Sequence, residues 1–245
     1  MLAVIAGADS LDATASRQPV PDYVAALDGS VAGLRVGVAG DFYADGLDDT
    51  VTRALAEAVA ALGGLGARVE RLAVPDPGPI VSACSNVMVR AESAAIHSRI
   101  LKERPGDLQP AVRERMAPGL TVTAYEYLQG QRLRAQLTRE FIAAVFSRVD
   151  VLVTPTIPEP APALAQVKAG ATADVIARMG RFSRLTRPFN ALGLPALSLP
   201  CGAAADGRPV AMQLVGRPFD EATLLRLGHA YERATTWHRR RPTLP

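Results

Sequence analysis

Lysine is almost missing from this chain of 245 residues, which holds only Lys102 and Lys168. Nearly all its basic charge is arginine, and the net charge is only +3. A nucleic-acid binder would cluster basic charge on one face. The one basic run here, Arg239-Arg240-Arg241, reads as a solvated tail. Cysteine is scarce as well: Cys84 and Cys201 stand far apart without C-x-x-C spacing, which predicts a reduced, cytoplasmic protein. No apolar run reaches the ~18 residues of a membrane helix. The opening M-L-A-V-I-A has neither the basic start nor the length of a signal peptide. There is no G-x-S-x-G elbow, no H-E-x-x-H, no glycine-rich phosphate loop and no dinucleotide fingerprint. His97, His229 and His238 share no ligand spacing, so no metal or other cofactor is expected. Cys201 has no histidine placed to activate it and reads as a small buried apolar residue.

What is present suits a folded α/β chain. With 49% hydrophobic and 21% charged residues, it can bury a sizeable core. Leu2 to Ala6 followed by Gly7 reads as the last turns of a helix with a glycine stop, and so short a helix cannot stand alone in water. Residues 1–30 are therefore expected to be a truncated helix end and connector, with 31–245 as one sheet-and-helix body. Leu34 to Ala39 predicts a strand. A helix capped at Asp48, Asp49 or Thr50 follows, with Val51, Leu55, Val59 and Leu62 at helical spacing. Ala67 to Val74 alternates as a second strand, which makes a βαβ unit with a parallel pair. Helices are predicted over about Ile80–Lys102, up to Met116, over Thr123–Arg148 (buried side Leu128, Leu133, Leu137, Phe141, Val145), and over Thr172–Leu185. Asp150 to Val153 reads as a buried strand ending in Thr154-Pro155-Thr156, at the strand end where α/β sheets place ligands. A last helix opens at Asp220 or Glu221, with Leu224, Leu225, Leu227 and Tyr231 inward.

The most heavily punctuated stretch runs from Thr186 to Gly216. Its prolines, Pro188, Pro195, Pro200 and Pro209, forbid a continuous helix. Ala196–Leu199 and Val210–Val215 are of strand length and are joined by A-A-A-D-G, which predicts a long-looped hairpin inside a sheet. The fixed positions Thr186, Pro188, Asn190, Gly193 and Pro195, then Pro200-Cys201-Gly202, then Gly207, Pro209, Gln213 and Gly216, resemble the C-terminal signature region of the amidase signature family. These are hydrolases of C–N amide bonds, and in them the T-x-P-x-N phrase is expected as a strand.

The resemblance implies a mixed β-sheet flanked by helices, the later half of the amidase signature fold. It also implies a small-molecule amide substrate. The family works through a Ser–Ser–Lys relay in which lysine, acting through a bridging serine, activates the nucleophile without histidine. Neither Lys102 nor Lys168 matches the family's lysine, and its glycine- and serine-rich segment is absent, so no catalytic residue is assigned. The expected reading is the C-terminal part of a hydrolase whose reactive residues lie elsewhere. The alternative is a non-catalytic subunit or binding module, and either the missing N-terminal half or a partner subunit is the expected partner. Exposed apolar surface and an open sheet edge should then mark where missing strands pack.

The resemblance also implies substrate-binding candidates. Arg115, in an R-x-x-x-G phrase ending at Gly119, either grips a substrate carboxylate with its planar guanidinium or is an ordinary surface arginine. Ser183 stands where glutamine-using relatives carry an acid that holds the substrate's amino group, so an α-amino acid amide is not indicated. Asn190 either ties down backbone or touches substrate, and Tyr125 and Arg134 either line the pocket or pack. Thr154 lies at the strand end.

Overall fold

The computed structural model describes residues 1–28 and 30–241, with Lys168 described by its backbone alone. Helix α1 (Leu2–Ile5) buries none of its side chains, and Gly7 follows it at φ +126°. Strand β1 (Arg35–Ala39) leads into α2 (Asp49–Gly64). The N-cap of α2 is Asp48, whose carboxylate accepts from the Thr50 amide at 2.7 Å and so satisfies one of the helix's orphan donors. The buried stripe of α2 is Val51, Ala54, Ala58 and Leu62, with Leu55 and Val59 at its margin. Small residues at the centre let the helix lie close on the sheet. Strand β2 (Arg68–Leu72) then pairs parallel to β1, which completes the βαβ unit.

A second helical region follows: α3 (Gly78–Ser82), a π-turn over Ala83–Met88 and α4 (Val89–Glu103). After it come α5 (Pro110–Met116), a 3-10 turn (Ala117–Thr121) and α6 (Ala124–Phe146). A capping box starts α6. The Thr123 hydroxyl accepts from the Glu126 amide at 3.2 Å, and the Glu126 carboxylate accepts from the Thr123 amide at 2.8 Å. The sheet resumes with β3 (Val151–Pro155). Then come α7 (Leu164–Lys168), α8 (Thr172–Ser183), α9 (Arg187–Leu192), β4 (Ala196–Ala203), β5 (Pro209–Val215) and α10 (Glu221–Ala234).

The strand order is β2-β1-β3-β5-β4. The first three strands are parallel, and β5 runs antiparallel to both β3 and β4. Helices cover both faces. On one side α2 and α10 pack on Val36, Val151, Val153, Met212 and Leu214. On the other, α3, α6 and α9 pack on Leu152 and Val215 through Ile80, Phe141, Val145, Phe189 and Leu192. The two-residue period of β3 divides its side chains between these cores. Each such aliphatic side chain contributes on the order of 1.5–3 kcal/mol by leaving water. The mixed, helix-flanked α/β sheet read from the sequence is the observed one.

Three local expectations are corrected. The T-R-P-F-N phrase is helix α9, not a strand. Pro188 sits in the first turn, where its missing N–H breaks no hydrogen bond, and Gly193 ends the helix in the left-handed region at φ +69°. The hairpin is real, but β4 is an edge strand rather than an interior one. An edge tolerates Pro200, and the β4–β5 register slips between Pro200 and Gly202, a bulge that leaves Cys201 as the extra residue. Finally, Leu128 and Leu133 lie 54% and 39% exposed. The first half of α6 instead seats Gly130 on Val87 and Met88 of the π-turn, and only its later half reaches the sheet through Phe141 and Val145. Val4, Ile5, Val89, Ile96 and Tyr125 are exposed as well.

Candidate functional site

The chain leaves β1 for β2 through α2 on one face and returns to β3 through α3–α6 on the other. The strand order therefore reverses between β1 and β3, and open α/β sheets hold ligands beyond the carboxyl ends of strands at such a point. Asp41, just after β1, takes φ +46°, a costly conformation for a non-glycine residue.

A polar row crosses the sheet on the α6 side of this region. Thr154 on β3, Gln213 on β5 and Ser198 on β4 are direct register partners. Gln213 donates from Nε2 to Thr154 Oγ1 at 3.0 Å and to the Leu185 carbonyl at 3.4 Å, and Thr154 donates to the Pro155 carbonyl at 3.2 Å. Thr154 and Gln213 are buried, so these bonds offset the cost of desolvating them. At the outer end of the row, Ser198 is exposed and lies 3.1 Å from Thr156, oxygen to oxygen. The hydroxyls that reach solvent are thus Thr156 and Ser198, while Thr154 is committed inside. The alternation Leu197, Ser198, Leu199 carried the signal for Ser198: two leucines face the α2–α10 core, so the serine between them must face the other way.

The other sequence-selected residues fall into two groups. Ser183, at the end of α8, donates to the Met179 carbonyl at 2.8 Å and accepts from the Arg187 guanidinium. Arg187 also donates to the Gly180 carbonyl at 3.4 Å. Burial lowers its pKa from the ordinary arginine value, and the positive charge of Arg115 lowers it further. Arg115 is exposed on α5, a helix that packs against α8. The 3-10 turn after α5 is held by Gly119, where a Cβ would lie only 2.0 Å from the Arg90 carbonyl oxygen of α4. That close approach explains the glycine of the R-x-x-x-G phrase.

Arg134 is turned toward α9, where its Nε donates to the Ala191 carbonyl at 2.6 Å, a cation on orphan carbonyls at a helix end. Asn190 is exposed on α9, its carbonyl accepting from the Gly193 amide at 3.2 Å. Tyr125 stands exposed on the first turn of α6. The structure joins Ser183 to Arg187, which sequence reasoning had not singled out, and carries Arg115 on the neighbouring helix α5.

An open cleft of about 730 Å³ lies between α8, the proline-rich loop after β3 and the β4–β5 turn. Its arginines are engaged: Arg181 with Glu159 at 2.9 Å, Arg208 with Asp206 at 2.6 Å, and Arg178 with the Val167 carbonyl at 2.8 Å. None of the six sequence-selected residues lines it. Both cysteines are free and buried. Burial pushes the Cys201 thiol up to about 12, which suppresses the thiolate needed for nucleophilic chemistry. Among the described residues no three His, Cys, Asp or Glu side chains gather to hold a metal, and no helix is long and apolar enough to cross a membrane.

A family model described as Amidase matches residues 1–225. An amidase from Pseudomonas putida is 40% identical over 245 residues, covering 100% of this chain and 52% of that protein. A glutamyl-tRNA(Gln) amidotransferase subunit from a Roseiflexus species is 37% identical over 268 residues, covering 100% of this chain and 53% of the other. Among solved structures, a 6-aminohexanoate cyclic dimer hydrolase complexed with substrate superposes with a TM-score of 0.81 at 25% identity, over 98% of this chain and 53% of its own. The chain spans about half the length of the curated relatives it matches, namely their C-terminal half.

Proposed function

Because this chain belongs to the amidase family, we propose that it is the substrate-side part of a C–N amide hydrolase, with the reacting groups carried by polypeptide outside these 245 residues. The observation that carries this reading is the match to the C-terminal half of an amidase over the whole of this chain. The two lysines support it, since Lys102 lies in the last turn of α4 and Lys168 ends α7, neither of them at the end of a strand. In this reading the relay serines and lysine meet the amide at the solvent end of the polar row. Thr156 and Ser198 face the leaving side, and the surface around Arg115, Ser183 and Arg187 receives the rest of the substrate. Arg134 and Thr154 position α9 and β3, while Asn190 and Tyr125 lie at the rim.

Residues 31–245 act as one α/β body, and 1–30 belong with the preceding polypeptide. A partner segment or subunit is part of the proposal. One relative is itself a subunit, and the exposed side chains of α1, the first half of α6 and the edge strand β4 offer it surface.

A fusion of the N-terminal half of the Pseudomonas putida amidase to this chain tests the reading. It should hydrolyse simple aliphatic and aryl amides, while the chain alone releases no ammonia or amine above background. Turnover by the isolated chain, or a folded fusion inert on every amide, would overturn it.

A further inference from the structure

Between β3 and α9 the chain makes an excursion that arginines fasten at both ends. At the near end Arg208, on the β4–β5 turn, donates to the Ala161 carbonyl. At the far end Arg184 donates to the Phe42 and Asp45 carbonyls and lies over the Phe42 ring at 5.2 Å. Between these anchors, from 163 to 183, none of the described side chains is buried, although Val175, Met179 and Phe182 recur at helical spacing. Arg178 donates to the Val167 carbonyl at 2.8 Å and to the Ala169 carbonyl at 3.2 Å, which makes α7 and α8 one unit. The unit's own seating is slight. Helix α8 packs on α5, which itself buries no side chain, and Arg181 pairs with Glu159 at 2.9 Å while half exposed, a kind of pair that contributes little. An element with so little buried shifts at low cost while the body stays folded. It also has somewhere to go. Gln166, Ala169, Arg178 and Phe182 line one side of the open cleft of about 730 Å³, and Thr50 and Ala204 of the body line the other.

We propose that residues 162–183 are a lid, which swings between the Arg208 and Arg184 anchors and closes on this cleft. The Arg181–Glu159 pair is the latch of the open state, and the apolar stripe of α8 gains its missing cover when the lid shuts. The proline-rich loop joins the lid to Thr156 on the polar row. If the hydrolase reading also stands, the amide enters with the lid open, and closure shuts water out of the site. The motion itself does not depend on that reading.

The experiment puts one cysteine on each side of the cleft, A169C on the lid and A204C on the body, and oxidises the chain of 245 residues with diamide. The native Cys84 and Cys201 are buried and should be spared, and peptide mapping identifies the bridge. Closure should yield the 169–204 disulfide, and adding E159Q, which frees the latch, should speed its formation by about twofold to fivefold. Hydrogen exchange in the unmodified chain should be at least about tenfold faster in α8 than in α2. In the active fusion, oxidation of the double-cysteine variant should stop amide hydrolysis and a reductant should restore it, while A169C alone keeps its activity throughout. No cross-link, a rate unchanged by E159Q, exchange in α8 as slow as in α2, or full turnover by the cross-linked fusion would each overturn the lid. Cross-linking in a chain whose fusion hydrolyses nothing would uphold the lid and count against the hydrolase reading alone.

Discussion

Replacing Asp150 by Asn removes one charge from a three-residue knot at the amino end of β3. Asp150 accepts from Arg35 at 2.7 Å through the side chain and at 3.0 Å through the backbone amide, and it lies 3.5 Å from Arg217. Arg217 also donates to the Phe146 and Val149 carbonyls, so the knot ties β1, β3 and the end of β5 together. The side-chain bond from Arg35 is the main cause that lowers the Asp150 pKa from 3.8 to about 2. At roughly 1.4 kcal/mol per unit, the shift corresponds to about 2.5 kcal/mol. Arg35 and Arg217 are 42% and 36% exposed, and screening by water and salt reduces this to about 1–2 kcal/mol.

Because the folded pKa is depressed, the contribution is fully present above the unfolded value near 4 and is lost as pH falls toward 2. Urea unfolding of the chain and of D150N at several pH values reads this directly. The midpoints should differ at pH 7, begin to converge below about pH 4, and coincide only once the pH has fallen through about 2. A gap that stays constant across that range would show that packing, not charge, holds the knot, and no gap at pH 7 would refute the reasoning.

Two further substitutions test the parts nearer the site. G119A drives a Cβ into the Arg90 carbonyl at 2.0 Å. Since backbone rather than a flexible side chain must yield, it should cost at least about 1–3 kcal/mol, visible as a lower thermal midpoint and faster hydrogen exchange in α4. T154V strips the buried Gln213 amide of its 3.0 Å acceptor and should cost about 1–3 kcal/mol in urea unfolding. The double variant T154V/Q213L should recover part of that loss, because the buried amide goes together with its acceptor and only the Leu185 carbonyl is left without its donor.

Legibility from sequence followed the range of the interactions. The βαβ unit could be read because Val51, Leu62 and the β1 alternation report burial through local period. The family motif was legible for another reason: its glycines and prolines sit where the backbone has few options, as Gly193 shows at φ +69°. The T-R-P-F-N phrase was misjudged because a proline that breaks a helix interior is harmless in a first turn. The exposure of Leu128 and Leu133 was illegible because helical period marks an apolar face without saying what covers it. Arg187 went unnoticed for a similar reason. Its bonds to Ser183 and the Gly180 carbonyl bridge α8 and α9, a contact that no local period reports.

The most direct test of the central claim labels the active fusion with a serine-reactive fluorophosphonate and maps the adduct by mass spectrometry. The account predicts a single adduct on a serine of the fused front part, formed in step with loss of amide hydrolysis, and none on Ser183, Ser198 or any other serine of this chain. An adduct on one of this chain's serines that abolished turnover would contradict it.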